Sequence, residues 1–257
     1  LIADMPVLIV IVLSIVQGLT EFLPVSSKTH LLFARHFLGM EVDLFFDVTL
    51  HIGSLLAILV YYRKAWGELL RERRAEIPRL VLATIPLIAA ALLFRSRLKP
   101  LYENLALASG MLLVTAAWLV ISDRFARERH TILEAPLWVI FLVGLAQACA
   151  VLPGISRSGS TIGMGYLAGL RRPDAVRFSF FLGAVAILAA MAKMAQEAIS
   201  SKVAPAPLPI LIGVAVTFVV SLAAIRVVEK LSTKGRFLWF ALYCALAGMV
   251  GWLHFRG

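Results

Sequence analysis

Charge and cysteine are both scarce in this sequence. Charged residues make up 16% of its 257 residues, and its two cysteines, Cys149 and Cys244, each lie in apolar surroundings. This count gives no support to a disulfide framework or to a cysteine-based metal cluster. The first apolar stretch lacks the basic start of a cleavable signal peptide, because it begins with Asp4 and contains Gln17 and Glu21. We therefore expect that stretch to belong to the mature fold.

Apolar residues are present in excess. They make up 61% of the chain, and the mean hydropathy is +0.90, whereas soluble domains are about 45–50% apolar. Nearly uncharged runs at 80–94, 207–228 and 237–255 alternate with basic linkers. This pattern predicts an all-α polytopic membrane protein. Because the net charge of +10 lies in the linkers, as expected for cytoplasmic loops, we expect no nucleic-acid partner.

Two apolar stretches are interrupted by polar residues. Residues 6–23 and 29–40 flank the first break, and residues 136–152 and 161–170 flank the second. Broken backbone is tolerated at membrane depth only where it lines a cavity within protein. We therefore predict two re-entrant helix pairs, each followed by three transmembrane helices. These helices are predicted at 44–62, 80–96 and 101–122, and again at 178–199, 207–228 and 237–255.

The two halves of the chain resemble each other. Leu23-Pro24-Val-Ser-Ser-Lys28 aligns with Leu152-Pro153-Gly-Ile-Ser-Arg157, so we predict one integral membrane domain of two repeats, about 1–125 and about 135–257. Because each repeat has three spans, the second must be inverted relative to the first. The basic linkers 63–79, 123–135, 171–177 and 229–236 fall on one side, which we predict to be cytoplasmic. Both termini then face outward, and the two breaks meet near the bilayer midplane.

The first break gathers polar side chains within an apolar segment. Gln17 and Glu21 share a helix face, Pro24 ends that helix, and Ser26, Ser27 and His30 follow. Ionisable groups inside a membrane are costly and are therefore functional candidates. Capping serines and an ion pair between Glu21 and Lys28 form the structural alternative. They do not explain why both a glutamate and a histidine lie here.

The second break supplies groups that bind phosphate. Gly154 and Gly159 permit tight turns, and the hydroxyl residues of this break precede or open a helix, at Ser156, Ser158, Ser160 and Thr161. A helix N-terminus is an anion-binding site, and the forked guanidinium of Arg157 suits phosphate oxygens. The alternative is a kinked helix from which Arg157 extends to the surface.

Two further pairs have helical spacing. Asp47 and His51 lie on the first full span, where they either line the same cavity or stabilise each other between packed helices. The spacing alone favours neither arrangement. Lys193 and Glu197 lie near the end of their span, and there we predict an ordinary helical ion pair.

Three segments together resemble a known family. Gln17-Gly-Leu-Thr-Glu21-Phe-Leu-Pro-Val-Ser-Ser27-Lys-Thr-His30 is similar to the first signature of the bacterial undecaprenyl-diphosphate phosphatases, the bacitracin-resistance family. Pro153-Gly-Ile-Ser-Arg157-Ser-Gly-Ser-Thr161 is similar to the second signature, and Phe46-Asp-Val-Thr-Leu-His-Ile-Gly-Ser54 to the segment between them. The similarity extends over the whole chain in motif order, length and span pattern.

The resemblance implies a multi-pass enzyme of the bacterial cytoplasmic (inner) membrane that converts undecaprenyl diphosphate into undecaprenyl phosphate. It also implies a divalent cation, Mg or Ca. The partners would be the polyprenyl diphosphate and membrane lipids, and a homodimer is left open. The catalytic residues carried over are Glu21, Ser27, His30 and Arg157, and Glu21 with Gln17 would bind the cation. With the turn glycines included, the predicted substrate-binding residues are Ser26, Gly154, Ser156, Ser158, Gly159 and Thr161.

The sequence departs from the family pattern at two places. Position 17 is Gln where many members have a second Glu, so a cation site would have one fewer charged ligand. Gln17 would either bind the cation through its amide oxygen or only orient Glu21. Lys28-Thr29 replaces a pair of small residues, and Lys28 either contacts phosphate or points to lipid headgroups.

We predict a pocket open to the outer side in which Ser27 attacks the terminal phosphorus with His30 as base. His30 as nucleophile and direct attack by water are the open variants. The competing function is a transporter that flips polyprenyl phosphate through the same pocket, because inverted repeats with broken helices are a transport architecture.

Overall fold

The computed structural model describes residues 5–41, 44–94, 100–201 and 207–256, with only the backbone at 44, 194–195 and 197–201. The predicted Lys193–Glu197 ion pair therefore involves a side chain outside the described residues. Apart from one isolated bridge between His130 and Leu170, the described part is helices and connecting segments. The helices are α1 (Val7–Thr20), α2 (Ser27–Phe37), α3 (Leu44–Tyr61), α4 (Arg63–Arg71), α5 (Ile77–Leu93), α6 (Leu105–Arg124), α7 (Leu137–Cys149), α8 (Arg157–Leu167), α9 (Arg172–Ser201), α10 (Pro207–Ser232) and α11 (Leu238–Phe255).

The long helices have the length and composition of membrane spans. Among the described residues, five are long and apolar enough to cross a bilayer, and α3 with α4 adds a sixth if that bent pair is one span. Many large apolar side chains point outward; Leu93 is 76% exposed and Leu246 is 68% exposed. Such a surface suits lipid rather than water. The prediction of an all-α polytopic membrane protein is confirmed.

Helix α4 was not predicted from the sequence. The chain bends by 71° after α3, and residues 63–71 form a short amphipathic helix rather than a plain linker. Leu69 is buried, and the ring of Trp66 stacks on Phe181 at 4.0 Å. Hydropathy missed this helix because its polar face carries several charges, whereas only one side is apolar.

Both interrupted stretches form helix pairs whose members pack on each other, α1 with α2 and α7 with α8. Each break contains one residue with positive φ, Ser26 at 69° and Gly154 at 88°. A Cβ atom at Gly154 would overlap the carbonyl oxygen of Ala108 on α6. Glycine is therefore required at that turn by its backbone conformation and by its close packing.

Helices of one half of the chain pack on helices of the other half. Helix α1 packs on α10 and α7 packs on α5; α3 also contacts α10, and α9 contacts α5. The contacts of α6 with α11 and of α3 with α9 join the halves directly. Each pairing has a counterpart in the other half if the helices correspond in order, α1, α2, α3, α5 and α6 to α7, α8, α9, α10 and α11.

Candidate active site

A cavity of about 440 Å³ lies where the two breaks meet. Its polar end is lined by Thr20, Glu21, Ser26, Ser27, Lys28, His51, Gln147, Ser156 and Arg157. Its apolar walls come from α5, with Leu87, Ile88, Ala91 and Leu92, and from α9, with Ala186, Ile187, Ala189 and Ala190. A polar end joined to an apolar cleft between helices suits an amphiphilic ligand with a small charged headgroup.

Glu21 links the two breaks through its carboxylate. Its Oε1 accepts a hydrogen bond from Arg157 Nη2 at 2.6 Å. Its Oε2 accepts from Ser27 Oγ at 2.8 Å and from Gln17 Nε2 at 3.1 Å. Charge-assisted hydrogen bonds of this kind are strong in a buried environment, and Glu21 is only 7% exposed. The carboxylate is therefore held in place by three neighbours.

The two breaks also pack directly against each other. Ser158 Oγ donates to the carbonyl oxygen of Leu23 at 3.2 Å. A Cβ atom at Gly159 would lie 3.2 Å from Pro24 Cβ, so only a small residue fits between the breaks. The sequence predicts that the two motifs meet, and the structure brings them together.

Arg157 retains an unused donor. Its Nη1 is buried and has no hydrogen-bond partner within the described residues. The guanidinium lies against Gly183 of α9, where a Cβ atom would overlap it. The arginine thus depends on the absence of a side chain at position 183, and nothing in the sequence near either motif points to that glycine.

Four of the predicted substrate-binding residues lie outside the cavity lining. Thr161 Oγ1 bonds Ser179 Oγ at 2.6 Å, and the carbonyl of Gly154 accepts from Thr115 at 2.7 Å. The polar groups of this break are used to build the turn and to hold neighbouring helices. The predicted contacts with substrate from Gly154, Ser158, Gly159 and Thr161 therefore have no counterpart in the cavity lining.

Two helix N-termini reach the cavity, that of α8 with Ser156 and Arg157 and that of α2 with Ser27 and Lys28. At α8, Ser156 Oγ accepts from the backbone N–H of Gly159 at 3.1 Å and so caps its own helix. At α2, Ser26 makes no side-chain cap and its Oγ lies 3.2 Å from Thr29 Oγ1 instead. The uncapped first turn of α2 is therefore a second helix end suited to an anion, and the sequence did not predict it.

His30 lies outside the cavity lining, which corrects its predicted geometry. Its Nδ1 is 2.8 Å from the carbonyl oxygen of Ser26, and its Nε2 is 2.7 Å from the hydroxyl of Tyr243. A carbonyl only accepts, so Nδ1 donates and a neutral ring accepts the Tyr243 proton at Nε2. The ring also stacks on Tyr243, with centroids 5.5 Å apart. Both ring nitrogens are thus occupied away from Ser27.

The side chains of Asp47 and His51 contact different partners in the structure. His51 lines the cavity, and its Nε2 lies 3.4 Å from Glu21 Oε2 while its Nδ1 contacts the Asp47 carbonyl at 2.7 Å. The Asp47 carboxylate instead accepts from the buried guanidinium of Arg35 at 2.5 Å. The suggestion that Asp47 lines the cavity is wrong, because Arg35 holds its carboxylate in a buried ion pair.

Oxygen donors for a cation lie beside Glu21. Gln17 Oε1 is buried and has no hydrogen-bond partner among the residues that the structure describes, while the same amide donates to Glu21. No group of three His, Cys, Asp or Glu side chains in the described part of the chain could hold a metal. A sparse oxygen set fits a hard cation that takes its remaining ligands from water and phosphate oxygens.

Lys28 is exposed and also lines the cavity. Its Nζ donates to the hydroxyl of Tyr102 at 3.4 Å and lies 4.9 Å from the centre of that ring. Tyr102 in turn donates to the carbonyl of Val151 at 2.8 Å, just before the second break. Tyr102, like Gly183 and Tyr243, lies outside every sequence motif.

Comparison with known proteins shows the family of this chain. The family described as "Bacitracin resistance protein BacA" matches residues 10–250. A protein named undecaprenyl-diphosphatase from Rhodopirellula baltica is 38% identical over 94% of this chain and 95% of its own length. Proteins of that name from Methanobrevibacter smithii, 35% identical over 96% of each chain, and from Gemmatimonas aurantiaca, 38% identical over 93% and 94%, are similar to it as well. The chain therefore belongs to the bacitracin resistance protein BacA family.

Proposed function

We propose that this chain is an undecaprenyl-diphosphatase, which hydrolyses the terminal phosphate of undecaprenyl diphosphate and leaves undecaprenyl phosphate. The observation that carries the proposal is Glu21, which bonds Ser27 on one oxygen and Arg157 on the other. An acid, a hydroxyl and a guanidinium in a cavity with apolar walls are the groups that a lipid phosphoanhydride needs. The names of the related proteins support the same substrate.

In this proposal, the substrate is bound by hydrogen-bond donors of the site that lack a side-chain partner in the described part of the chain. Arg157 Nη1 and the first backbone N–H groups of α2 hold the terminal phosphate. The polyprenyl chain lies between α5 and α9, against Leu87, Ile88 and Ile187. Burial of each methylene group on such walls contributes about 0.8 kcal/mol.

The nucleophile of the proposed reaction is Ser27, as the sequence suggests, but its base is Glu21. Ser27 Oγ already donates to Glu21 Oε2 at 2.8 Å, whereas His30 is bonded to Ser26 and Tyr243. As the Ser27 oxygen bonds to the terminal phosphorus, the bridging P–O bond breaks and its electron pair leaves with undecaprenyl phosphate. Water then attacks the phosphoserine and releases phosphate.

A divalent cation, Mg or Ca, is part of the proposal. Glu21 and Gln17 Oε1 would hold it, with phosphate oxygens and water as its other ligands. When bound, it neutralises charge on the diphosphate. The residues themselves keep the carboxylate, the serine hydroxyl and the guanidinium in fixed relation.

We also infer the orientation of the protein. The chain lies in the bacterial cytoplasmic membrane with its termini and the cavity mouth on the outer side, and its two repeats are inverted. The basic linkers on one side support this arrangement. The exchange of helix partners between the two halves supports the repeats.

The test is phosphate release from C55 diphosphate by the purified full chain, with and without a chelator. We expect wild-type turnover and a loss of about 10³-fold or more in Ser27→Ala, since removing a nucleophile leaves only binding and electrostatic contributions. Ser232→Ala is the matched control, because its hydroxyl is buried without a partner and lies outside the cavity. Labelled phosphate trapped on the enzyme should be stable to acid and labile to base.

Two results would overturn parts of the proposal. Normal turnover in Ser27→Ala contradicts the serine mechanism and leaves attack by water. Lipid exchange across vesicles without any phosphate release contradicts the phosphatase and favours the transporter.

A further inference from the structure

The lysine that follows the proposed nucleophile has no assigned task. Lys28 lies in the first turn of α2, directly after Ser27, and lines the same cavity as Glu21 and Arg157. Its neighbour Ser27 lines that cavity as well. A charged side chain at this position is within reach of whatever Ser27 attacks.

The charges within the cavity are unequally neutralised. Arg157 is paired with the Glu21 carboxylate at 2.6 Å, so much of its charge is already balanced. Lys28 forms no ion pair with a carboxylate in the part of the chain that is described; its polar contact is the neutral hydroxyl of Tyr102. An unbalanced cation beside a paired one attracts an anion that carries more charge than Arg157 alone can match.

The contact that holds Lys28 is weak and can be exchanged. The distance from Nζ to the Tyr102 oxygen is 3.4 Å, longer than an ordinary hydrogen bond. The ring beneath Nζ, 4.9 Å away, adds a cation–π contact at an exposed site, which is also modest. A charge-assisted bond to a phosphate oxygen is stronger than either. The ammonium can therefore leave Tyr102 for a phosphate without breaking a strong interaction.

Tyr102 connects Lys28 to the second helix pair. Its hydroxyl donates to the carbonyl of Val151 at 2.8 Å, and both Tyr102 and Val151 line the cavity. The tyrosine thus connects Lys28 from the first helix pair to the segment that precedes the second break. This connection holds the ammonium at the cavity lining.

We propose that Lys28 is a specificity-determining residue that leaves Tyr102 and joins Arg157 in binding the terminal phosphate, so that the site favours a diphosphate over a monophosphate headgroup. The terminal phosphate is the group that Ser27 attacks and the group that a lipid monophosphate lacks. With its lipid chain between α5 and α9, the monophosphate has only the phosphate next to that chain, and the contact with Lys28 is then missing. The inference rests on the proposed function for the identity of the headgroup.

Direct binding separates this inference from the reaction itself. The affinities of the full chain for C55 diphosphate and C55 monophosphate are measured in detergent, in a Ser27→Ala background that suppresses turnover. Lys28→Gln should weaken diphosphate binding about tenfold, the equivalent of about 1.4 kcal/mol, and change monophosphate binding by less than about threefold. Lys28→Arg should restore most of the preference, because it keeps the charge. Lys64→Gln is the control, since Lys64 is exposed on α4 and lies outside the cavity lining.

A kinetic readout in the Ser27 enzyme completes the test. Lys28→Gln should raise KM for the diphosphate about tenfold with kcat within about twofold, as expected when a binding contact is lost. Equal weakening of both lipids, or no change in either, would overturn the assignment of Lys28. Absence of phosphate release in the wild type contradicts the proposed function instead, and the binding difference between the two lipids still decides the role of Lys28.

Discussion

Gly183 offers a sharp test of how the site is held. Its position on α9 faces the guanidinium of Arg157, and an added Cβ would overlap Nη1 and lie 2.8 Å from Cζ. To reach ordinary van der Waals contact the Nη1 end of the guanidinium must move by about 1.4 Å or more. The bond of 2.6 Å from Nη2 to Glu21 Oε1 would then be lost or lengthened. A displacement of about 1 Å in a positioned group can cost about 100-fold in rate.

We therefore expect Gly183→Ala to lower kcat about 100-fold with little loss of folded protein. Alanine gains up to about 1 kcal/mol of helix propensity, which offsets part of an overpacking cost of about 1–3 kcal/mol. Gly110→Ala is the matched control: it is also a helical glycine, but its nearest neighbour, Trp252, would be 3.9 Å from the new Cβ.

The assay is phosphate release in detergent, with Tm recorded for each variant. Because Gly183 acts through Arg157, the double variant Gly183→Ala with Arg157→Ala should be no slower than Arg157→Ala alone. Wild-type turnover in Gly183→Ala would refute the reasoning, since the guanidinium could then move without consequence. Additive losses in the double variant would place the effect of Gly183 elsewhere.

Three further predictions concern residues around the site. Gln17→Leu should raise the magnesium concentration for half-maximal activity at least about tenfold, and an unchanged titration after chelation contradicts the ligand role. Arg35→Met should lower stability by about 3–5 kcal/mol, because the Asp47 carboxylate loses its buried ion pair, and Tm measures this loss. Tyr243→Phe should cost about 1 kcal/mol of stability with kcat within about twofold; a large fall in kcat would instead make His30 the base.

Much of the fold follows from patterns that the sequence states directly. Span positions depend on runs of apolar residues, which can be identified in the sequence without knowledge of tertiary contacts. Helices α10 and α11 therefore begin and end within a few residues of their predicted bounds. The breaks were equally visible, because Pro24, Pro153 and Gly154 interrupt helices for local steric reasons. The helix α4 was not predicted, because the charges on one face lower its mean hydropathy although its other face is apolar.

The site was predicted less completely because side-chain direction is a tertiary property. His30 lies one turn after Ser27 on α2, yet its ring turns to Tyr243 on a helix more than 200 residues away in sequence. His51 reaches Glu21 instead, at 3.4 Å. Spacing predicts which residues share a helix face, but it does not predict which of two histidines a distant helix will engage. Gly183 could not be identified from the sequence, because it contributes only the space that the Arg157 guanidinium occupies.

The ion pair between the two breaks explains why neither motif can function alone. Glu21 and the guanidinium of Arg157 are largely buried, and each would be an uncompensated charge without the other. Glu21→Gln should therefore lower stability by about 3–5 kcal/mol, whereas Glu21→Gln with Arg157→Met should recover much of it, because no buried charge is then left unpaired. Both variants should be inactive, and Tm in detergent distinguishes them. If the double variant is as unstable as the sum of its single changes, the two breaks are held together by packing at Gly159 and Pro24 rather than by this pair.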